Sequence, residues 1–132
     1  MSYQVLIIDD DKIVVLLHNR IIKHSELSTI SPLAFENGKT ALDYLHEEAN
    51  DNKQYLIFLD LNMPVMNGWE FLNSIQTYSF YKDISVVIVT SSIDPAEREK
   101  AAGYSQVIGY VEKPLNPLAC NKIKQLVQCR PI

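Results

Sequence analysis

Four short, unbroken or nearly unbroken apolar runs constrain this chain more than any other feature. They are Val5 to Ile8, Tyr55 to Leu59, Val86 to Val89, and Val107 to Val111 interrupted by Gly109. Short runs rich in β-branched residues are the pattern of strands covered on both faces in a parallel sheet. A fifth, weaker strand is expected near Thr29 to Phe35. Pro32 interrupts it and would remove a ladder donor, which places that strand at a sheet edge.

Helical patterns separate the strands. Ile13, Leu17 and Ile21 recur every four residues after Asp11, which reads as a first-turn cap. Ala41, Leu45 and Ala49 do the same, with Leu42 beside them, and Phe71, Leu72 and Ile75 mark a third helix opening after Gly68. Asp94-Pro95 with Glu97 supplies an N-cap, a proline at the first helical position and a capping partner. Asn116-Pro117 opens the last helix, whose expected buried face is Ala119, Ile123, Leu126 and Val127. The βαβαβαβαβα alternation demands an α/β, doubly wound parallel sheet with right-handed crossovers and helices on both faces.

A length of 132 residues gives room for one such domain, expected over 1–132 with a core from about residue 4 to 129. Net charge is −4 and no run of Lys or Arg builds a basic stripe, so direct contact with nucleic acid is not expected. Met1 to Gln4 has no basic region, and the apolar run behind it is too short for a signal peptide or a membrane span. Cys120 and Cys129 fall on one predicted helix, where nine residues rise roughly 13 Å and point to opposite faces, so no bridge joins them. A reducing compartment, the cytoplasm, follows as the expected location. The loops at Asp51 to Lys53 and Ser79 to Asp83 read as connections, and Tyr78, Phe80 and Tyr81 as loop-anchoring aromatics.

In an open parallel sheet, ligands bind beyond the carboxyl ends of the strands, where the strand order reverses. Asp9, Asp10 and Asp11 stand after the first strand, and Asp60 and Asn62 after the third. Thr90, Ser91 and Ser92 follow the fourth strand, and Glu112, Lys113 and Pro114 the fifth. Taken singly, each has an ordinary explanation as a solvated turn, a cap or a surface lysine. Together they put several carboxylates, a hydroxyl and an ammonium on one edge. Carboxylates gathered without a partner repel and lose solvation, so a fold that collects them normally holds a hard cation there. An all-oxygen set at an exposed edge suits Mg²⁺. Zinc is not indicated, because His18, His24 and His46 are scattered over helices and read as solvent-facing or internally satisfied. A carboxylate beside Mg²⁺, with a hydroxyl and a lysine opposite, is chemistry for a phosphoryl group.

These residues carry a resemblance. Ile7-Ile8-Asp9-Asp10-Asp11, Phe58-Leu59-Asp60-Leu61-Asn62-Met63-Pro64-Val65-Met66-Asn67-Gly68, Val89-Thr90-Ser91 and Tyr110-Val111-Glu112-Lys113-Pro114, in this order and spacing, resemble the receiver domain of two-component response regulators. The resemblance implies a flavodoxin-like receiver fold with strand order 2-1-3-4-5. It implies that Asp60 is the phosphoacceptor and that Asp10, Asp60 and the main-chain carbonyl of Asn62 bind Mg²⁺, with Asp9 acting through water. Lys113 would pair with the phosphoryl oxygens, Thr90 would move to hydrogen-bond them, and Tyr110 would turn inward as the switch. The Lys113–Pro114 peptide would be cis. Asn67 stands where many members have Asp, and either suits a turn or N-cap. Trp69 and Phe71 read as packing.

The implied partners are a sensor histidine kinase or phosphotransfer protein upstream and an effector protein downstream. No effector domain is expected after Val127, so no DNA-binding output is foreseen, and output would pass through the fourth helix, fifth strand and fifth helix around Tyr110. The chain would be a phosphoacceptor rather than an enzyme, limited to self-phosphorylation from a donor and slow dephosphorylation. Asn62 and Ser92 are placed to tune that hydrolysis. Two rivals are a small-molecule phosphatase or phosphotransferase with an aspartyl nucleophile, and a receiver fold used only for docking. The first wants an acid/base carboxylate two residues past the nucleophile, where this chain has Asn62, and the intact acidic set argues against the second.

Overall fold

The four apolar runs all become strands, and their depth in the sheet follows their composition. In the computed structural model, which describes residues 3–27, 30–48, 54–77, 83–91 and 94–129 (side chains to 127), the strands are β1 (Gln4–Ile8), β2 (Leu33–Phe35), β3 (Tyr55–Leu59), β4 (Ile84–Thr90) and β5 (Val107–Glu112). All pair in parallel in the order β2-β1-β3-β4-β5. Every residue of β3 and β4 is buried, whereas β2 and β5 at the edges are only partly covered. Pro32 precedes the three-residue β2 instead of interrupting it, and β2 lies at the edge as its proline requires.

Five helices cover the sheet: α1 (Lys12–His24), α2 (Gly38–Glu48), α3 (Gly68–Ile75), α4 (Pro95–Ala102) and α5 (Pro117–Cys129). Alternate strand residues face opposite sides, so two cores form. Leu6, Ile8, Ile57, Leu59, Val86 and Ile88 pack with α2, α3 and Ala101 of α4. Val5, Ile7, Phe58, Val87 and Val89 pack with Ile22 of α1 and Cys120, Ile123 and Val127 of α5.

Side-chain caps fix where the helices begin. Asp11 accepts from the N–H groups of Ile13 and Val14 at 3.0 and 3.3 Å, and Asp94 from Ala96 at 2.9 Å with Pro95 behind it. Asn116 accepts from Ala119 at 2.8 Å. Asn67 and Glu70 form a reciprocal capping box at the start of α3, so the asparagine serves as the N-cap expected of it.

Two helix faces differ from expectation. Ile13 is 80% and Leu17 43% exposed, and the buried residues of α1 are His18 and Ile22. Positions 13 to 17 are all apolar, so a four-residue repeat can be drawn at any phase and cannot select the buried one. In α5, Leu126 is 48% exposed and Cys120 is fully buried in its stead. Ala49, Asp51 to Lys53, Tyr78 to Lys82, Ser92 and the Cys129 side chain lie outside the described residues.

The segment between β3 and α3 is tightly built. The Gly68 N–H donates to the Leu61 carbonyl at 3.0 Å, and a Cβ at Gly68 would lie 2.8 Å from both the Asp60 carbonyl oxygen and the Leu61 Cα. Val65 has φ 68°, and the Met66 N–H donates to the Pro64 carbonyl at 2.7 Å around it. That three-residue turn is strained for a β-branched residue.

Gly68→Ala is therefore expected to destabilise the fold by about 1–3 kcal/mol, since main-chain atoms must shift to admit the methyl. Gly38→Ala should cost less, because its closest contact is the flexible Met66 side chain at 3.0 Å. Urea denaturation of both variants, read as a lower midpoint at unchanged slope, checks the order.

Candidate functional site

Main-chain bonds carry the strand register one step beyond the strands and deliver the polar residues to one edge. The Asp9 N–H donates to the Phe35 carbonyl and the Asp60 N–H to the Ile8 carbonyl, both at 3.0 Å, and the Lys113 N–H donates to the Thr90 carbonyl at 2.8 Å. Ile8 pairs with Leu59, so Asp9 and Asp60 follow directly on neighbouring strands. Thr90 pairs with Glu112, which puts Lys113 just beyond β4.

Asp9, Asp10 and Asp60 each offer a carboxylate oxygen, and these oxygens all lie within 4.8 Å of one another. Asp9 and Asp60 are buried, at 5% and 6% exposure, while Asp10 is exposed at the rim. The Lys113 Nζ stands 2.8 Å from Asp9 Oδ2 and 3.5 Å from Asp60 Oδ2. Asp9 Oδ1 also accepts from the Asp11 N–H at 2.9 Å, and Asp60 Oδ1 from the Asn62 N–H at 3.4 Å.

Burial pushes the Asp60 carboxyl above its ordinary pKa, with Asp9 adding to the rise and Lys113 opposing it. Burial works against the charge of Lys113, but hydrogen bonding and attraction from Asp9 and Asp60 prevail and raise its pKa. Three carboxylates against one ammonium leave a formal charge of −2 within a few ångströms. An oxygen-only donor set with that deficit, open at Asp10, fits a hard dication such as Mg²⁺.

The remaining predicted residues fall around this cluster. Thr90 is fully buried at the end of β4. Tyr110 is half-buried on β5, with the Arg98 guanidinium 5.5 Å from its ring centre. Thr90 and Ile88 share a face of β4, and Ile88 pairs with Tyr110, so Thr90 and Tyr110 are diagonal neighbours on one side of the sheet. Asn62 is exposed beside Asp60. The Lys113–Pro114 peptide is cis. The strand-end positions do not include Arg98, which lies over Tyr110, and of the two alternatives for His18 it is the internally satisfied one that holds: the side chain is buried and its Nε2 accepts from the Leu115 N–H at 3.2 Å. The spacing of His18 and Ile22, i to i+4, was the available signal for that burial.

Comparison with known proteins bears on the family and the fold. A family model described as the response regulator receiver domain matches residues 5–127. The chain is 33% identical to a two-component response regulator of Arabidopsis thaliana, over 96% of this chain and 86% of that one. It is 32% identical to the chemotaxis protein CheY1 of Helicobacter pylori, over 86% of this chain and 87% of that one. The crystal structure of a two-component response regulator from Cytophaga hutchinsonii superposes with a TM-score of 0.85 at 31% identity, covering 96% and 98% of the two chains.

The raised Asp60 pKa makes a signed prediction. The folded state holds this proton more tightly than the unfolded chain, so its contribution to stability is full at acid pH. That contribution is lost as pH rises from the ordinary carboxylate range through the raised value. In chelator at neutral pH, Asp60→Asn should melt several degrees above wild type and lose that advantage as the pH falls to about 4. Lys113→Ala should melt below wild type, because Asp9 and Asp60 then face each other uncompensated. Thermal melts across pH measure both.

Proposed function

The chain belongs to the response regulator receiver domain family of two-component signalling, and from that premise we propose that it is a phosphorylation switch whose phosphoacceptor is Asp60. One observation carries the reading: Asp60 is a buried carboxylate that shares Lys113 with Asp9, inside a cluster of three converging carboxylate oxygens.

The donor is a phosphohistidine on a sensor kinase or phosphotransfer protein. An Asp60 oxygen attacks phosphorus in line, the new O–P bond forms as the P–N bond breaks, and the departing imidazole keeps the electron pair and takes up a proton. The product is an acyl phosphate. Asp10, Asp60 and the Asn62 carbonyl, with Asp9 acting through water, would hold Mg²⁺, which would supply charge neutralisation at the phosphoryl oxygens. Lys113 transfers its attraction from the two carboxylates to the added oxygens, so the ammonium that steadies the resting pocket also steadies the product.

Thr90 donates its hydroxyl to the phosphoryl group, and its shift frees space on the face it shares with Tyr110. In the resting state Tyr110 lies under Arg98, so the switch exchanges that cation–π contact for an inward position. The role is signalling rather than turnover of a substrate. A changed surface around α4, β5 and α5 passes the state to an effector protein. The switch would act in the cytoplasm, where kinases have access to ATP. No described helix is long and apolar enough to cross a membrane.

Acetyl phosphate with Mg²⁺ is expected to label Asp60 alone, as borohydride trapping and peptide mapping would reveal. Undiminished labelling of Asp60→Ala would overturn the assignment. Lys113→Ala should slow labelling about 100-fold while binding Mg²⁺ at least as tightly as wild type.

The coupling is tested with beryllofluoride, an acyl-phosphate mimic. It should move the NMR resonances of Tyr110 and its neighbours in the wild type and much less in Thr90→Ala. Equal shifts in both proteins would remove Thr90 from the mechanism.

A further inference from the structure

His18 has no part in the chemistry described so far, yet it sits directly behind it. The side chain is 1% exposed in the middle of α1, and its Nε2 accepts from the Leu115 main-chain N–H. Leu115 is itself buried, two residues beyond Lys113.

Main-chain anchoring on either side of Lys113 gives this contact its importance. Upstream, the Lys113 N–H donates to the Thr90 carbonyl, one residue past the end of β5. Pro114 has no N–H with which to anchor the chain. The next donor is Leu115, and it is held by His18. The Lys113 segment is therefore pinned at two points, one on β4 and one on α1. The start of α1 is tied to the same site from the other side, since the Asp11 that caps it donates its N–H to Asp9 Oδ1. Through His18 and Asp11, one helix sets how Asp9 and Lys113 lie relative to each other.

We propose that His18 is a positioning residue for phosphoryl transfer, holding the Leu115 main chain so that the Lys113 ammonium reaches Asp9 and Asp60. It must be a neutral imidazole protonated on Nδ1, because only then does Nε2 offer a lone pair. Its surroundings favour that form: burial lowers its pKa, Asp9 opposes the effect and Lys113 adds to it. A leucine of similar size would fill the core equally well and leave the Leu115 N–H buried without an acceptor. That difference separates a positioning role from simple packing.

The inference rests on Asp60 being the phosphoacceptor, and the wild-type arm of the experiment tests that separately. Labelling rates with acetyl phosphate at saturating Mg²⁺ are compared for wild type, His18→Leu, His18→Gln, Lys113→Ala and the double variant His18→Leu/Lys113→Ala. His18→Leu should label about 10- to 100-fold more slowly with Mg²⁺ affinity within about twofold of wild type, because Lys113 meets the phosphoryl group and not the metal. His18→Gln, whose side-chain oxygen can accept the same bond, should recover most of the rate. The double variant should be no slower than Lys113→Ala, since His18 acts only through that lysine.

A wild-type rate in His18→Leu, no recovery in His18→Gln, or losses that multiply in the double variant would each overturn the proposal. Nitrogen NMR of His18 in the wild type keeps the question open to test if a variant fails to fold. Protonation on Nδ1 supports the contact, and protonation on Nε2 refutes it. If wild-type Asp60 took no label at all, the functional reading would fail, and the NMR result would still decide whether His18 anchors Leu115.

Discussion

The parallel pairing of β1 with β3 creates the electrostatic problem around which the site is arranged. Because the ladder runs through Ile8 and Leu59, Asp9 and Asp60 emerge side by side, and both lose most of their water. Like charges at about 4 Å repel by roughly 1–4 kcal/mol at effective dielectrics between water and a protein surface. Lys113, from the far edge of the sheet, meets both carboxylates, and the exposed Asp10 leaves the cluster open on its outer side. The resting pocket is thus partly neutralised by the chain itself. What remains is a net negative charge of the kind that suits a hard dication.

The scaffold around this pocket is unevenly fixed. β3 and β4 are buried at every position, and alternate residues lock each strand into two cores at once. Asp60 and Thr90 are therefore set on the most rigid elements of the molecule. α4 is different: Ala101 is its one buried residue, and its side-chain ties include Arg98 over Tyr110 and Lys100 over Trp69. Shallow, polar anchoring is what an element needs if it is to shift when the face beneath it changes. Deep anchoring of the strands that carry Asp60 and Thr90 and shallow anchoring of α4 are consequences of the same burial gradient.

Much of this was legible from the residues. Strand runs rich in β-branched residues located four strands, Pro32 located an edge, and the polar residues at strand ends located the pocket. The caps at Asp11, Asn67 and Asp94 were equally readable, because capping is local chemistry. The buried face of α1 was not. Five consecutive apolar residues satisfy a helical period at any phase, and only the docking of the helix against the sheet brought His18 inward and left Ile13 in solvent. Leu126 and Cys120 exchanged places for the same reason, since hydrophobicity alone does not say which side of α5 meets the sheet. The sharing of Lys113 between Asp9 and Asp60 depends on distances across strands, which no linear pattern records.

The bridge between Asp9 and Lys113 joins the end of the first strand to the residue after the last. A ribosome-bound chain that has not yet released β5 lacks the ammonium, and a chain cut directly after Lys113 lacks the Leu115 anchor behind it. Neither can present the finished pocket to a phosphoryl donor. The pocket is thereby complete only when the chain is present from Asp9 through Leu115, and fragments that stop short lack part of it. The geometry that places the ammonium thus also inspects the chain from its first strand to just past its last.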